Sequence, residues 1–327
     1  MSHLVGVDLG GTKTAAALVS LEGQVGAAYA IPTPARDGPE AILDAVATLV
    51  REVVARYEGS LAPGQYGATI HLPGIVQLLG IGVGTAGVVD AGVGRVLSAT
   101  DALPGWPGTD VRQGLRERLA DLIGDHPVTV ENDVDAHGAG EAWQGAAAGS
   151  DDVLMVTVGT GVGASVVFDG RPLRGAHHVA GELGHLPSPE AAGLRCGCGK
   201  EGHLEGIASG PALHRHYLRL GGDPAAADAR AVYARAAAGD ALAERALAVS
   251  ARAVGRAVAG VAMVLDPAVV VVGGGLSQAG PLWWQPMVSA LRHELIAPLI
   301  DLPVRRSDLG PAAGILGAAR SALLCRS

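Results

Sequence analysis

The sequence predicts a soluble α/β protein made of two related units, and three observations point to this class. Its 327 residues suffice for about two domains. Short β-branched runs alternate with alanine-rich helical patterns, as in proteins built from βα units. A strand that leads into a turn of glycine and threonine occurs at residues 5–12 and again at 154–163, which indicates an internal repeat.

The composition excludes several classes of protein. Hydrophobic residues make up 49% of the chain and charged residues only 17%, the opposite of the balance in disordered chains. Lys and Arg number 24 against 32 Asp and Glu, so the net charge of −8 provides no basic surface for nucleic acid. Aromatic residues are only 3%, so the core must be built from Ala, Val and Leu.

Nothing in the sequence predicts export or a membrane. The apolar stretch Ala257 to Leu265 is expected to be too short to cross a bilayer. The N-terminus reaches Asp8 after a few apolar residues, so no signal peptide is expected. The three cysteines form no disulfide framework. We therefore expect a cytoplasmic protein.

The elements of the first half follow from hydrophobic periodicity and turn residues. Residues 39–58 form an amphipathic helix because Ile42, Val46, Leu49 and Val53 recur at helical spacing. The predicted order is strand 4–7, its hairpin partner 15–19, helix 39–58, strand 81–84, helix 110–122, strand 127–130 and a helix that begins near Asn132.

The second half repeats this organisation. Residues 171–205 are rich in Gly, Pro and His and too long to be a mere connection. The predicted order is strand 153–158, turn 159–163, strand 164–168, the loop 171–205, a helical region 225–265 interrupted at Gly239, strand 269–272 and a last helix of about 310–324.

A glycine-rich hairpin turn near the N-terminus is the first candidate site. Asp8, Gly10, Gly11, Thr12 and Lys13 place an acid, a flexible backbone, a hydroxyl and a cation on one turn. Glycine lets backbone N–H groups approach phosphate oxygens, and the acid can hold Mg²⁺. The turn lacks the spacing of a Walker motif, and an ordinary glycine hairpin remains the alternative.

Two later glycine turns follow buried strands. Gly159, Thr160 and Gly161 could provide the second half of a phosphate clamp, and Gly274 and Gly275 suit close contact with a base or ribose. Taken alone, a pattern such as Gly159 to Gly163 is more often a simple turn than a site, whereas the pattern at Gly274 and Gly275 is equally consistent with either.

The pair Asn132 and Asp133 follows a strand and opens a helix. Asn and Asp are preferred helix caps, and spacing alone favours capping. The functional alternative is that Asn132 holds a substrate hydroxyl and Asp133 accepts its proton, since ligands of α/β proteins bind at the carboxyl ends of strands.

A cluster of metal-ligating residues lies in the long loop. His185, Cys196, Cys198 and His203 could complete one tetrahedral zinc site of structural type. Free thiols, a redox pair or a strained disulfide between Cys196 and Cys198 are the alternatives. A closed zinc site would fix Glu182 and Glu205, two carboxylates suited to accept hydrogen bonds from vicinal sugar hydroxyls.

These motifs, in their order along the chain, resemble the ROK family of sugar kinases and sugar-responsive repressors. The resemblance rests on Asp8 to Lys13, Glu131 to Asp133, Gly159 to Gly163, Glu182 to His185, Cys196 to Glu205 and Gly273 to Gly275. It covers residues 4 to about 320.

The resemblance implies two actin-like (ribonuclease-H-like) ATPase domains around a cleft. The expected domains are 1–125, completed by the C-terminal helix at about 308–327, and 126–307 with a zinc-braced substrate loop 171–205. A homodimer or a dimer of dimers is expected on the same ground.

The resemblance also implies a role for each motif residue. Asp133 would be the general base, with ATP, Mg²⁺ and a structural Zn²⁺ as cofactors. The sugar would be bound by Gly87, Thr100, Asp101, Asn132, Asp133, Glu182, His185 and Glu205. ATP and Mg²⁺ would be bound by Asp8, Gly10, Gly11, Thr12, Lys13, Gly159, Thr160, Gly161, Gly274 and Gly275. Zinc would be bound by His185, Cys196, Cys198 and His203.

The sequence departs from the family pattern at three places. His203 replaces the third cysteine of the zinc motif, and Asp135 stands where the pattern has Asn. Thr100 and Asp101 lie where an Asn often precedes Trp106. We expect the last two departures to tune which sugar fits. The chain also starts at the first strand, so the DNA-reading extension of the repressors is not expected.

We therefore predict an ATP-dependent kinase of a hexose hydroxyl, with the glucose 6-hydroxyl as default. Mannose, fructose, an N-acetylhexosamine or a C7-cyclitol are alternative substrates. Other functions left open are a non-catalytic sugar sensor, a structural zinc protein, and an acyl-phosphate kinase or ATPase of the same fold. Asp133 favours the enzyme over the sensor.

Overall fold

The computed structural model describes residues 2–59, 77–100 and 102–325. They belong to two compact units. Unit 1 comprises Met1–Gly149, Val167–Ala180 and Pro311–Ser327, and unit 2 comprises Ser150–Val166 and Gly181–Gly310. The units are defined by which residues pack together. Residues 126–149, which were expected in the second domain, pack in unit 1. The division into domains at residue 125 stays a prediction.

Strands lie close to where β-branched runs predicted them: the strand Val153–Val158 has the predicted bounds, and the other predicted strands are shifted or lengthened by a few residues. The turn predicted at 159–163 is shorter, because the return strand already begins at Val162. The strands are β1 Ser2–Leu9, β2 Lys13–Ser20, β3 Tyr29–Pro32, β4 Gln77–Thr85, β5 Val88–Asp90, β6 Arg95–Ser98, β7 Val128–Asn132, β8 Val153–Val158, β9 Val162–Phe168, β10 Arg171–Pro172, β11 Val269–Gly273 and β12 Val304–Arg306. The short strands β3, β5, β6, β10 and β12 were not predicted.

Among the described helices, α6 and α9 are long helices that the periodicity did not predict. The helix predicted at 110–122 is broken at Leu119, whose backbone leaves the helical region. The helices are α1 Pro39–Gly59, α2 Val111–Arg118, α3 Ala120–Ile123, α4 Asp133–Gln144, α5 Glu205–Ala208, α6 Gly210–Arg219, α7 Ala229–Ala237, α8 Ala241–Leu265, α9 Pro281–Glu294 and α10 Ala312–Leu324.

The two five-stranded sheets have the same topology. Their strand orders are β3-β2-β1-β4-β7 and β10-β9-β8-β11-β12. Each sheet begins, in chain order, with a hairpin: β1 and β2 in the first sheet, β8 and β9 in the second. The first strand of each hairpin also pairs in parallel with the next long strand of its sheet, β1 with β4 and β8 with β11. The repeat predicted from the two glycine and threonine turns is therefore confirmed at the level of whole sheets, and each such turn lies at the tip of the hairpin.

Helix α10 packs on the first sheet and on α4 at backbone distance. A Cβ atom at Gly82 of β4 would collide with the carbonyl oxygen of Ala318, and one at Gly317 would collide with that of Ala136. Glycine at these two positions allows the backbones to touch, so α10 packs closely against both β4 and α4.

Helix α8 is the central helix of the unit 2 core. By length and composition alone its 25 residues could cross a membrane, which corrects the expectation that this apolar region is too short. Leu247, Val254 and Val258 are fully buried in the same core as the strands β8 and β11. This burial explains the apolar composition of α8 as that of a core helix.

Candidate active site

The turn between β1 and β2 is braced from the end of β3. Gly10 N–H donates to the carbonyl of Lys13 at 3.0 Å and closes the turn. The hydroxyl of Thr33 donates to the carbonyl of Gly10 at 2.7 Å, and Thr33 N–H donates to the carbonyl of Thr12 at 3.1 Å. The turn is therefore preorganised, with Thr12 and Lys13 exposed at its tip.

Asp8 lies at the carboxyl end of β1 in a group of charged side chains. Burial raises the pKa of Asp8, and neighbouring Asp133 raises it further, whereas His137 and Lys13 oppose the shift. A Cβ at Gly314 of α10 would lie 3.1 Å from Cγ of Asp8 and 3.0 Å from Cε1 of His137. The absent side chain at position 314 thus makes room for both groups.

Asn132 caps helix α4, as spacing alone favoured. Its Oδ1 accepts hydrogen bonds from the N–H groups of Val134 at 2.8 Å and Asp135 at 3.3 Å. Its Nδ2 donates to the carbonyl of Gly87 at 2.8 Å, so Gly87 and Asn132 are held together. The cap fixes Asp133 as the first residue of α4.

Asp133 has the electrostatic surroundings of a proton acceptor. Its Oδ1 accepts a hydrogen bond from Val134 N–H at 2.9 Å. Burial raises the pKa of Asp133, and neighbouring His137 only partly opposes this. His137 lies one helical turn further on, with Nδ1 2.9 Å from the carbonyl oxygen of Asp133. Because a carbonyl can only accept, Nδ1 carries the proton of that hydrogen bond.

Arg174 clamps two buried carboxylates on either side of Asp133. Its Nη1 lies 2.6 Å from Oδ2 of Asp135, and its Nη2 forms an ion pair with Glu131. The hydroxyl of Ser321 on α10 donates to Oε1 of Glu131 at 2.6 Å. Asp135 is only 7% exposed and bound by Arg174. The carboxylate at position 135 therefore pairs within the protein, and its influence on the choice of sugar stays a prediction.

The loop expected to contact substrate is only partly described. Thr100 is exposed, and its carbonyl accepts a hydrogen bond from Leu103 N–H at 3.1 Å. Asp101 lies outside the described residues. Buried Trp106 anchors the loop, since its Nε1 donates to Oγ1 of Thr85 at the end of β4 at 3.1 Å.

Unit 2 carries an open cavity of about 750 Å³ beside the second glycine turn. This volume is ordinary for the site of a drug-sized ligand. Gly274 has φ of +82° and packs against the backbone of Val158, which brings Gly275 next to the turn. The lining residues are Gly159, Thr160, Gly210, Pro211, His214, Ala227, Asp228, Ala229, Arg230, Tyr233, Gly275, Leu276, Gln278 and Ala279.

The four predicted metal ligands come together in the long loop. One donor atom from each of His185, Cys196, Cys198 and His203 lies within 4.8 Å of all the others. Cys196 Sγ is 3.6 Å from His185 Nδ1, and Cys198 Sγ is 3.3 Å from His203 Nδ1. Donor atoms of a tetrahedral zinc ion lie about 3.3–3.8 Å apart, so the donor set fits zinc after a small contraction.

Two carboxylates flank these ligands. Glu182 Oε2 lies 3.5 Å from Nε2 of His185, the ring nitrogen turned away from Cys196, and can orient this ligand. Glu205 Oε1 lies 3.9 Å from Sγ of Cys196, and Oε2 accepts a hydrogen bond from Val162 N–H at 3.1 Å.

We expect the purified protein to contain about one zinc ion per chain, because the donor set leaves no ligand position for water. Elemental analysis after dialysis measures this directly, and Cys198→Ser should bind zinc much more weakly. A protein that contains no zinc, and whose melting temperature stays the same when zinc is added, would contradict the four-ligand site.

The family model described as ROK family matches residues 4–324. The chain belongs to the ROK family. Its two-sheet architecture agrees with solved ROK structures and confirms the predicted actin-like α/β fold class.

Relatives of this ROK protein include named sugar kinases. Glucokinase of Streptomyces coelicolor is 33% identical, covering 98% of this chain and 97% of that protein. N-acetyl-D-glucosamine kinase of Escherichia coli O127:H6 is 31% identical, covering 96% and 97%. The crystal structure of ROK hexokinase from Thermus thermophilus has a TM-score of 0.82 at 34% identity, covering 99% of both chains. A ROK glucokinase from Streptomyces griseus, solved with glucose and AMPPNP, has a TM-score of 0.75 at 31% identity and covers 98% of both chains.

The structure groups the sequence-predicted residues of this ROK protein into local sets. In unit 1 it brings together Asp8, Asp133 and Lys13, and it joins Asn132 to Gly87. In unit 2 it brings together the four metal ligands, and separately Gly159, Thr160 and Gly275 at the cavity.

Sequence reasoning missed several residues next to these sets. His137 stands four residues after Asp133, the helical spacing that places it on the same face. Ser209 followed by Gly210 and Pro211 is a pattern typical of a helix start, and it marks the beginning of α6 beside the cavity. Arg174 had no such indication, because its partners are distant in sequence.

Proposed function

We propose that this protein transfers the γ-phosphoryl group of ATP to a hexose hydroxyl, by default the glucose 6-hydroxyl, with Asp133 as general base. ATP-dependent sugar kinase activity follows from membership of the ROK family together with kinase relatives that cover nearly the whole chain. One of these relatives was solved with both a sugar and an ATP analogue.

The observation that carries the role of Asp133 is its partly buried carboxylate at the start of α4, which accepts a hydrogen bond from Val134 N–H. Burial raises the pKa of Asp133, and a base with a raised pKa binds the proton of a hydroxyl more strongly in the transition state. The Asn132 cap holds the residue in place, so the carboxylate is oriented before substrate arrives.

The turn of unit 1 supplies the electrostatic part of the proposal. Asp8 is the residue that would hold Mg²⁺, directly or through water. Burial and the neighbouring carboxylate of Asp133 raise the pKa of Asp8, and a bound cation would offset both effects. Mg²⁺ bound with ATP neutralises charge on the phosphate oxygens. Gly10, Gly11 and Thr12 offer N–H and hydroxyl donors, and Lys13 adds a positive charge.

Sugar recognition is assigned to hydrogen-bonding groups of residues from each unit. Asn132 and Asp133 of unit 1, with Gly87 and Thr100, are proposed to contact hydroxyls, as are Glu182, His185 and Glu205 of unit 2. Carboxylates accept two hydrogen bonds from vicinal hydroxyls, which suits a hexose. Mannose, fructose, N-acetylhexosamines and C7-cyclitols present similar groups, and a relative is named for N-acetyl-D-glucosamine.

The nucleotide is assigned to the unit 2 cavity. Gly159, Thr160 and Gly161 would contact phosphate, and Gly274 and Gly275 would flank the adenosine. Support comes from the size of the cavity and from the position of Thr160 and Gly275 on its wall. Structural zinc would brace the sugar-binding loop. A cytoplasmic homodimer or dimer of dimers remains a prediction from the resemblance.

The substrate is identified by ADP release with MgATP across glucose, mannose, fructose, N-acetylhexosamines and C7-cyclitols. We expect one compound to be turned over far faster than the others, with glucose first in the order of testing. ADP release that is equal with and without every sugar would contradict the kinase assignment. Binding of sugar and ATP without turnover would favour a non-catalytic sugar-binding regulator.

A further inference from the structure

Glu205 lies behind the glycine turn that joins β8 to β9. Its Oε2 accepts a hydrogen bond from Val162 N–H at 3.1 Å. A Cβ at Gly161 would lie 2.9 Å from the same oxygen, a distance that real Cβ atoms avoid. The absence of a side chain at position 161 thus leaves room for this carboxylate directly beside the turn.

The loop 171–205, here called the metal-ligand loop, contacts strand β9 at a second place. Ala164 N–H of β9 donates to the carbonyl of Gly181 at 2.8 Å. Gly184, next to the ligand His185, packs directly on the carbonyl of Val162. Strand β9 is thus held from both arms of the loop, one carrying His185 and the other carrying the remaining three ligands and Glu205.

The turn itself reaches the cavity. Gly159 N–H donates to the carbonyl of Gly161 at 2.9 Å, and the carbonyl of Gly159 accepts from Gly210 N–H at 2.8 Å. Thr160 at the tip is exposed and lines the cavity. A displacement at Val162 would therefore change the shape of the turn on which Thr160 is presented.

We propose that Glu205 is a positioning residue for nucleotide binding: its hydrogen bond to Val162 holds the Gly159–Gly161 turn in shape and couples this turn to the metal-ligand loop. The proposal rests on the proposed function in one respect, namely that the turn binds phosphate. It gives Glu205 a role in nucleotide affinity that is separate from contact with sugar.

The negative charge of Glu205 makes this role distinguishable from electrostatic attraction. A carboxylate beside a phosphate site repels the ligand, so removing only the charge should not weaken nucleotide binding. Glutamine keeps an oxygen that can accept from Val162 N–H, whereas alanine removes the acceptor. The two substitutions therefore separate the hydrogen bond from the charge.

The experiment is a calorimetric titration of MgADP into the zinc-loaded protein without sugar. We expect Glu205→Ala to weaken MgADP binding about tenfold, the size expected for loss of one hydrogen bond to a charged group. Glu205→Gln should bind MgADP as wild type does, or slightly more tightly. Glu201→Ala removes an exposed carboxylate from the same loop and should stay within twofold of wild type.

Zinc content and melting temperature of each variant show that the loop is intact. Affinity of Glu205→Ala within twofold of wild type would overturn the proposal and leave the proposed kinase function standing. Equal weakening in Glu205→Gln and Glu205→Ala, at full zinc content, would also overturn it. Absence of MgADP and MgAMPPNP binding by the wild-type protein would instead overturn the proposed function.

Discussion

Replacing Asp133 by Asn should lower the turnover number for the sugar by about 10²–10⁴-fold, the usual contribution of a general base. Asn has nearly the same shape, and its Oδ1 can still accept from Val134 N–H, so the start of α4 should be preserved. Steady-state kinetics at saturating MgATP and sugar measures the effect. Affinities for both ligands should change little, because the proton is transferred only in the transition state.

The pH profile provides a second readout for Asp133. A general base must be ionised, so the wild-type turnover number should fall as the pH drops through the pKa of Asp133. Burial raises this pKa, so the acidic limb should lie above the ordinary value for aspartate of about 4. The limb should be absent from the residual activity of Asp133→Asn.

Stability supplies the control for this variant. When the pKa of a carboxyl group is raised on folding, the protein loses stability as the pH rises from the unfolded pKa through the folded pKa of that group. The cost arises because the carboxylate must then ionise in an unfavourable environment. The neutral amide avoids that cost at pH 7. Asp133→Asn without ligands should therefore melt at the same temperature as wild type or higher. Turnover within threefold of wild type in such a folded variant would refute the role of Asp133.

Replacing Arg174 by Met should lower the free energy of unfolding by about 3 kcal/mol. This is the lower end of the range for breaking a buried ion pair, since the Arg174 side chain keeps 27% of its surface exposed. The loss arises because Glu131 and Asp135, with 2% and 9% exposed side chains, would be left without their cation. Urea titration followed by circular dichroism measures it.

Two matched variants separate the clamp from the general loss of a cation. Arg171→Met removes an exposed arginine from the same segment and should cost less than about 0.5 kcal/mol. Asp135→Asn added to Arg174→Met should recover part of the lost stability, because it removes one of the two buried negative charges that Arg174 balanced. A loss in Arg174→Met no larger than in Arg171→Met would show that the clamp contributes little.

Local features of the sequence were enough to predict the parts of the site that depend on near neighbours. The two glycine turns follow apolar strands, and chain connectivity alone places them at hairpin tips. The four metal ligands lie between residues 185 and 203, so the loop brings them together with few long-range constraints. The cap at Asn132 is likewise a matter of adjacent residues.

The parts that could not be predicted depend on distant residues. Arg174 meets Glu131 and Asp135 only because the segment after β10 packs against β7 and α4, and neither pattern nor spacing encodes that pairing. The expectation for Asp135 rested on its departure from the family pattern, which gave no sign of this ion pair. Helix α9 escaped prediction because Pro286 lies inside it and obscures the helical pattern.

The central claim is that ATP consumption is coupled to phosphorylation of a sugar. Phosphorus NMR of the zinc-loaded protein with MgATP and glucose, or the best sugar of the panel, tests it most directly. We predict that a sugar phosphate resonance grows in equal amount to ADP, while inorganic phosphate stays at the level seen without sugar. ADP and inorganic phosphate appearing together without a sugar phosphate would contradict the account.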